Sequence, residues 1–445
     1  MSTTNFLLSQ GAASAVAALR TDVHSPYTAM IEVADRCNEV CVHCYQVQGQ
    51  KGEMTTEEVC SVMDQLAELG VIFLTLSGGE ATLRSDFLEL VAHARKLRFA
   101  VKLYTNGLRI DDAMADRLAE LAVQEVQMSL YSPRPEVHDW VTRVPGSHQR
   151  TVAAVRRLVA RKVRVVVKTP VMRFNAHDRD RFIDLVEDIG AHYMLSTHVD
   201  PREDGVRDPE MLSIDHGTNL DIRRDSRVFG ETEEEPEPRA PKLDRAPCGA
   251  CSGMVHVEPN GEVHPCTQLN LRIGGALDEG GIAKAWQENA EARLLRHTTY
   301  ADLHGCRDCA LHPYCARCYA NALTQAGDAF GPYASACADA RLEYELAHGE
   351  PAQIIDQPDA MGPYAAVAGN AFRTIEDRLT EEDRARYAKH AWLRQPVKAE
   401  PLAPAGGLVQ IRRPGARMPE PLQWPGASPT SHEDESGKAN PTAAE

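Results

Sequence analysis

Residues 29–46 read AMIEVADRCNEVCVHCYQ, an apolar run that breaks into three cysteines spaced C-x3-C-x2-C. AMIEVA has the length and branched content of a buried parallel strand. Five more runs of this kind follow: VIFLTLS at 71–77, FAVKLYT at 99–105, EVQMSLY at 125–131, VRVVVKT at 163–169 and AHYMLST at 191–197. Helix-like stretches separate them, including TTEEVCSVMDQLAELG from Thr55, SDFLELVAHARKLR from Ser85 and DDAMADRLAELA from Asp111. Ser85 and Asp111 are expected N-caps, and Gly70 ends the helix that opens at Thr55. Alternating strand–helix units predict a parallel sheet covered by helices. Eight units would close a full barrel. The six over residues 28–200 fit an α/β partial (β/α)6 TIM-like barrel better than a doubly wound sheet. Either fold places its chemistry at the carboxyl ends of the strands. Cys37, Cys41 and Cys44 stand at such an end.

Composition narrows the function classes. The chain has 445 residues, 48 basic against 64 acidic side chains and a formal charge of −16. At about 150 residues per domain, two or three domains are expected. The acidic balance argues against a duplex nucleic-acid binder. No apolar run reaches the roughly 18 residues of a membrane span. The N-terminus has no basic residue before Arg20 and reads poorly as a secretory signal, so a cytoplasmic location is expected. The 12 cysteines are clustered: three at 37–44, Cys60 alone, and eight from Cys248 to Cys337. A large chain without an export signal uses such clusters for soft metals, not disulfides. Composition therefore leaves an iron–sulfur enzyme or a zinc-stabilised module.

Beyond the barrel, residues 201–247 change character and contain the acidic run ETEEEPEP at 231–238, which reads as a linker or lid. A cysteine-rich domain is expected over 248–345, with a charged helical extension over 346–395. Residues 396–445 hold nine of the 27 prolines and read as a disordered tail. Residues 1–27 form an N-terminal extension.

Three thiolates can hold three irons of a cubane cluster and leave the fourth open to a small molecule. Zinc, with His43 as fourth ligand, is the alternative, although it favours paired C-x2–4-C arms. Here the motif resembles that of the radical S-adenosylmethionine (SAM) superfamily, with His43 at a position usually aromatic. The second strand ends in LSGGEATLR, and Gly78, Gly79 and Glu80 resemble the GGE motif of that family. Ala81 replaces the usual proline. The resemblance implies a [4Fe-4S] cluster on Cys37, Cys41 and Cys44, and SAM contacts from His43, Gly78, Gly79, Glu80, Thr105, Asn106, Ser129 and Arg143. Lys168 and Asn175 are further polar groups near the fifth strand end.

The downstream cysteines resemble the SPASM extension of peptide-modifying members, with C-x9-G-x4-C from Cys251 to Cys266 and C-x2-C-x5-C-x2-C from Cys306 to Cys318. The usual extension has three residues, not two, before the last of these cysteines. By resemblance, Cys248, Cys251, Cys266 and Cys318 hold one auxiliary [4Fe-4S] cluster. Cys306, Cys309, Cys315 and Cys337 hold the other. Cys60 is left as an inert thiol. His256, His264, His304 and His312 are not needed as ligands and are expected at the surface or behind the ligands.

The resemblance implies reductive cleavage of SAM to a 5′-deoxyadenosyl radical that abstracts hydrogen from a peptide or peptide-derived substrate. Thr267 stands where sulfatase-maturing relatives carry Asp, which argues against that activity. Only 27 residues precede the first strand, so a leader-binding domain is expected on a separate protein or in 350–395. A ferredoxin or flavodoxin is the expected reductant. Maturation of a small redox cofactor or tetrapyrrole, or a non-catalytic zinc or iron–sulfur protein, are the alternatives.

Overall fold

The computed structural model describes residues 25–230, 243–307 and 309–352. The acidic run at 231–238, the tail and most of the expected N-terminal and helical extensions lie outside the described residues. Six parallel strands run in chain order: β1 (Thr28–Ala34), β2 (Phe73–Gly78), β3 (Ala100–Thr105), β4 (Glu125–Ser129), β5 (Val165–Pro170) and β6 (His192–Ser196). Helices at Thr56–Glu68, Phe87–Lys96, Asp112–Glu120, Ser147–Ala160 and Arg179–Ile189 lie between them. Helix Pro135–Thr142 is an extra short helix after β4.

Alternation within each strand divides the sheet into two faces. Ile31, Val33, Leu74, Leu76, Val101, Leu103, Val126, Met128, Val165 and Val167 belong to one buried apolar core with the helices. The intervening positions are mostly polar: Glu32, Thr75, Ser77, Lys102, Tyr104, Glu125, Gln127, Ser129 and Lys168. Helix packing stabilises the first face by roughly 25 cal/mol per Å² of apolar area buried. The second face is left for chemistry.

Local signals set the helix starts. Thr55 and Glu58 form a reciprocal capping box, and Asp111 accepts the Met114 amide at 2.8 Å. Ser85 does not cap. The helix starts at Phe87, and Asp86, the residue before it, makes no side-chain cap. The Asp86 carboxylate is instead taken by Arg84 at 2.6 Å and by Thr56 at 2.6 Å.

The sheet extends past the expected six strands. β7 (Met254–Val257) pairs parallel with β1, and β8 (Glu262–His264) and β9 (Gly274–Gly275) continue antiparallel, giving the order β6-β5-β4-β3-β2-β1-β7-β8-β9. The free edge of β1 would otherwise present unpaired backbone groups. The cysteine-rich region therefore shares one sheet with the barrel. Within the expected linker or lid, residues 201–230 carry helices His216–Arg224 and Ser226–Phe229. Glu203 accepts the Val47 amide at 2.6 Å, and Arg223 pairs with Glu343, so this segment is tied to both regions.

Candidate active site

The loop after β1 carries the first three cysteines and is anchored on several sides. Arg84 is buried, and its guanidinium donates to the carbonyl of Val33 at 3.0 Å and of Met54 at 2.8 Å. It thus pins both ends of the cysteine loop. The amides of Val40 and Val42 donate to the carbonyls of Thr142 and Val141, both at 3.0 Å, so the loop rests on the end of helix Pro135–Thr142.

Gly78 and Gly79 press against the same loop. A Cβ at Gly78 would lie 2.3 Å from the Ala34 carbonyl oxygen, and one at Gly79 would lie 2.4 Å from that of Arg36. Gly78 also has φ +136°, which disfavours any side chain. The Gly79 and Glu80 amides donate to the carbonyls of Ala34 and Arg36 at 2.7 and 2.9 Å. Glu80 is buried and holds the next strand end, accepting from Thr105 Oγ1 at 2.7 Å and the Asn106 amide at 2.7 Å. Asn106 Nδ2 donates to Asn38 at 2.7 Å and stands 4.0 Å from Cys37 Sγ. Residues from β1, β2 and β3 therefore meet at one point.

The other candidates surround this point less tightly. The His43 ring meets Tyr131 edge-on at 4.6 Å, and burial pulls its pKa down to about 4, so it is neutral. Tyr131 was not identified from the sequence. Its hydroxyl lies 3.8 Å from Cys41 Sγ, while its backbone amide donates to His138 Nδ1 at 3.1 Å. Arg143 is exposed, sits beside the loop-supporting carbonyls and stacks over Trp140 at 4.6 Å. Asn175 bridges the carbonyls of Tyr131 and Pro170 at 2.7 and 3.1 Å, which is a structural role.

Three half-buried thiols crowd this loop. Burial pushes Cys37 up to about 12, with Glu80, Glu39 and Cys44 adding to the rise. Burial and the charges of Glu39, Cys44 and Cys37 raise Cys41 further. The neighbouring charges that act most on both thiols are negative. Such a set suits metal coordination, which supplies the missing positive charge and removes the protons.

Two family descriptions match this chain: the radical SAM superfamily over residues 31–186 and an iron–sulfur cluster-binding SPASM domain over 248–319. Mycofactocin maturase from Mycobacterium ulcerans is 30% identical over 303 residues, covering 64% of this chain and 80% of that protein. The chain belongs to the radical SAM superfamily. PqqA peptide cyclase from Ruegeria pomeroyi is 26% identical over 75% of this chain and 94% of its own length. The fold is also that of Streptococcus suis SuiB, solved with its precursor peptide, at TM-score 0.57 and 15% identity over 74% of this chain and 80% of SuiB. The chain is thus an iron–sulfur, SAM-dependent enzyme.

Eight of the other nine cysteines have thiol neighbours in the cysteine-rich region. Burial raises the Cys248 thiol to about 12, with Cys266 and Cys318 adding to it. Burial likewise raises Cys251, with Cys266 and Cys248 as its thiol neighbours. Burial pushes Cys315 up to about 12, and its thiol neighbours are Cys306, Cys337 and Cys309. Those four line one small cavity of about 40 Å³. Cys60 is half-buried on helix Thr56–Glu68, where burial and Asp64 raise its thiol.

Buried cations distinguish these quartets from the first trio. Arg317 is 5% exposed and donates to Cys306 Sγ at 3.3 Å and to the Ala329 carbonyl at 2.7 Å. Its charge also opposes the rise of the Cys315 and Cys318 thiols. Arg296 donates to the Cys251 carbonyl at 2.8 Å. The four histidines are all buried, contrary to a surface placement: His256 faces Glu32 at 3.3 Å, His264 faces Glu258 at 3.6 Å, and His304 faces Asp328 at 2.7 Å. His312 lines the cavity of the second quartet. No helix among the described residues is long and apolar enough to cross a membrane.

Proposed function

We propose that this enzyme modifies a peptide substrate, with Cys37, Cys41 and Cys44 holding the SAM-binding [4Fe-4S] cluster. Cys248, Cys251, Cys266 and Cys318 hold one auxiliary cluster, and Cys306, Cys309, Cys315 and Cys337 hold the other. The convergence of the cysteine loop, the Gly78–Gly79 backbone and Asn106 at three strand ends carries this reading. Mycofactocin maturase and PqqA peptide cyclase, both similar over most of their length, support a peptide substrate.

When bound, the cluster and SAM supply a 5′-deoxyadenosyl radical that abstracts hydrogen from the substrate. The protein's own groups position and seclude that chemistry. The Gly78–Glu80 backbone and Asn106 orient the amino-acid end of SAM. Arg143 offers a bidentate partner for its carboxylate. The neutral His43 ring and Tyr131 close the apolar side, and His138 holds the Tyr131 backbone. Arg317 offsets the negative charge of the auxiliary quartets. A flavodoxin or ferredoxin supplies the electron, and a separate protein presents the peptide leader.

The test is anaerobic incubation with SAM and dithionite, assayed for 5′-deoxyadenosine. The triple variant Cys37→Ala/Cys41→Ala/Cys44→Ala should form none and should lose about four of roughly twelve irons. Continued SAM cleavage by that variant would sink the proposal. Mass spectrometry of candidate peptides encoded beside the gene, with and without the enzyme, tests the substrate class.

A further inference from the structure

The inner face of the barrel carries a cation with no carboxylate of its own. Lys168 is on β5, two residues before its carboxyl end, among the side chains that alternate away from the apolar core. Its ammonium lies 4.2 Å from the Tyr104 ring centroid. Among the described residues no carboxylate oxygen lies within 4.0 Å of it. The nearby acid, Glu125, is buried and already engaged by Arg164 at 2.9 Å, by Lys102 at 3.9 Å and by Gln127. Glu125 is thus already held by two other cations and an amide. Burial pulls the Lys168 ammonium down to about 8, with Glu125 opposing and Lys102 adding to the fall.

A cation–π contact recovers only part of the solvation a lysine loses on burial. An ammonium left in this state is a receptor for an anion that arrives later. Its opposite number in the β4–β5 register is Ser129, at the strand end where the candidate SAM residues gather. We propose that Lys168, over the Tyr104 ring and beside Ser129, forms a subsite for the free carboxylate of the peptide substrate. The substrate part of this assignment rests on the peptide reading above. SAM carries a carboxylate of the same chemistry, so the experiment separates the two sources.

The experiment is competitive labelling of lysines in the anaerobic holoenzyme with limiting acetic anhydride, read by peptide mass spectrometry. N-acetylglycine, a minimal peptide carboxylate, should slow acetylation of Lys168 in the presence of saturating SAM. N-acetylglycinamide should not. Labelling unaffected by N-acetylglycine, or slowed equally by the amide, overturns the subsite. Full protection by SAM alone, with nothing added by N-acetylglycine, overturns the assignment to substrate.

A kinetic arm uses any peptide the enzyme modifies. Lys168→Met should raise KM for the free acid by about ten- to hundred-fold. It should leave KM for the peptide amide unchanged, and Lys168→Arg should restore most of the loss. An equal rise for acid and amide means a structural role and overturns the proposal. If Lys168 is protected while no peptide is turned over, the peptide reading fails and the carboxylate subsite stands.

Discussion

The first cysteine trio and the auxiliary quartets are built from the same thiols in opposite electrostatic settings. Around Cys37 and Cys41 the charged groups that raise the thiols are acidic, Glu39 and Glu80, and Arg150 acts on Glu39 from outside the trio. Around the quartets a buried Arg317 touches Cys306 and influences Cys315 and Cys318. A site with three protein ligands keeps a position for an incoming cationic molecule, and an acidic setting favours that. A site with four thiolates carries more negative charge, and a buried guanidinium compensates it. The trio is also the more tightly confined in its backbone, because two glycines of another strand press on its loop.

The largest expected effect tests that confinement. Gly79→Ala places a Cβ 2.4 Å from the Arg36 carbonyl oxygen. It should remove about four of roughly twelve irons and abolish 5′-deoxyadenosine formation. Gly249→Ala, between Cys248 and Cys251, meets no atom within 4 Å and should retain full iron content. Equal iron loss in both variants would erase the distinction between the two regions.

Next in size is the charge contrast. Arg317→Gln should lower the reduction potential of the auxiliary clusters, because losing a nearby positive charge favours the oxidised form. The potential of the first cluster should not move. Arg317→Lys should recover part of the shift. Redox titration followed by electron paramagnetic resonance reads all three proteins. A uniform shift of every cluster would mean that Arg317 acts through the fold.

A smaller effect is expected at the contact between β3 and the cysteine loop. Asn106→Ala removes the 2.7 Å bond to Asn38. Loss of that bond should weaken SAM binding by about 1 kcal/mol, measured by equilibrium dialysis. Unchanged affinity would show that the β2 glycines suffice to hold the loop.

The smallest effect concerns Arg84, which pins the loop ends while paired with Asp86. The Arg84 hydrogen bond holds the Asp86 carboxyl down at about 2. A depressed carboxylate adds stability above its unfolded pKa of about 4. That stability is lost as pH falls from there through about 2. Asp86→Asn should therefore cost about 0.5 kcal/mol near neutral pH after solvent screening. The gap to wild type should close below pH of about 4. Urea midpoints across that range check it, and a gap that does not close would assign the loss to packing.

Much of the barrel was legible because its signals are local. Each apolar run is followed by a helix with its own cap or stop, such as the Thr55–Glu58 box. The cysteine loop and Gly78–Gly79 were legible because spacing and strand ends mark them. Ser85 failed as a cap because Arg84 and Thr56 draw in the neighbouring Asp86, a choice that depends on a residue 30 positions away. β7 and β8 were passed over, although VHVEPNGEVH holds an Asn-Gly turn between short alternating runs. Strands this short gain their stability from the neighbour they pair with. Tyr131 carried no signal either, because its contact to Cys41 spans 90 residues.

Sequence by itself determined the order of strands, the place of the three-cysteine loop at a strand end and the resemblance that divides the other eight thiols into two sets. The first two follow from periodicity and spacing along the chain, and the division of the thiols follows from the resemblance alone. Only the tertiary structure decided which charges stand beside each thiol set, that the cysteine-rich region joins the barrel sheet through β1, and that Lys168 is left without a carboxylate. These depend on register and packing between segments far apart in the chain, and no local pattern specifies them.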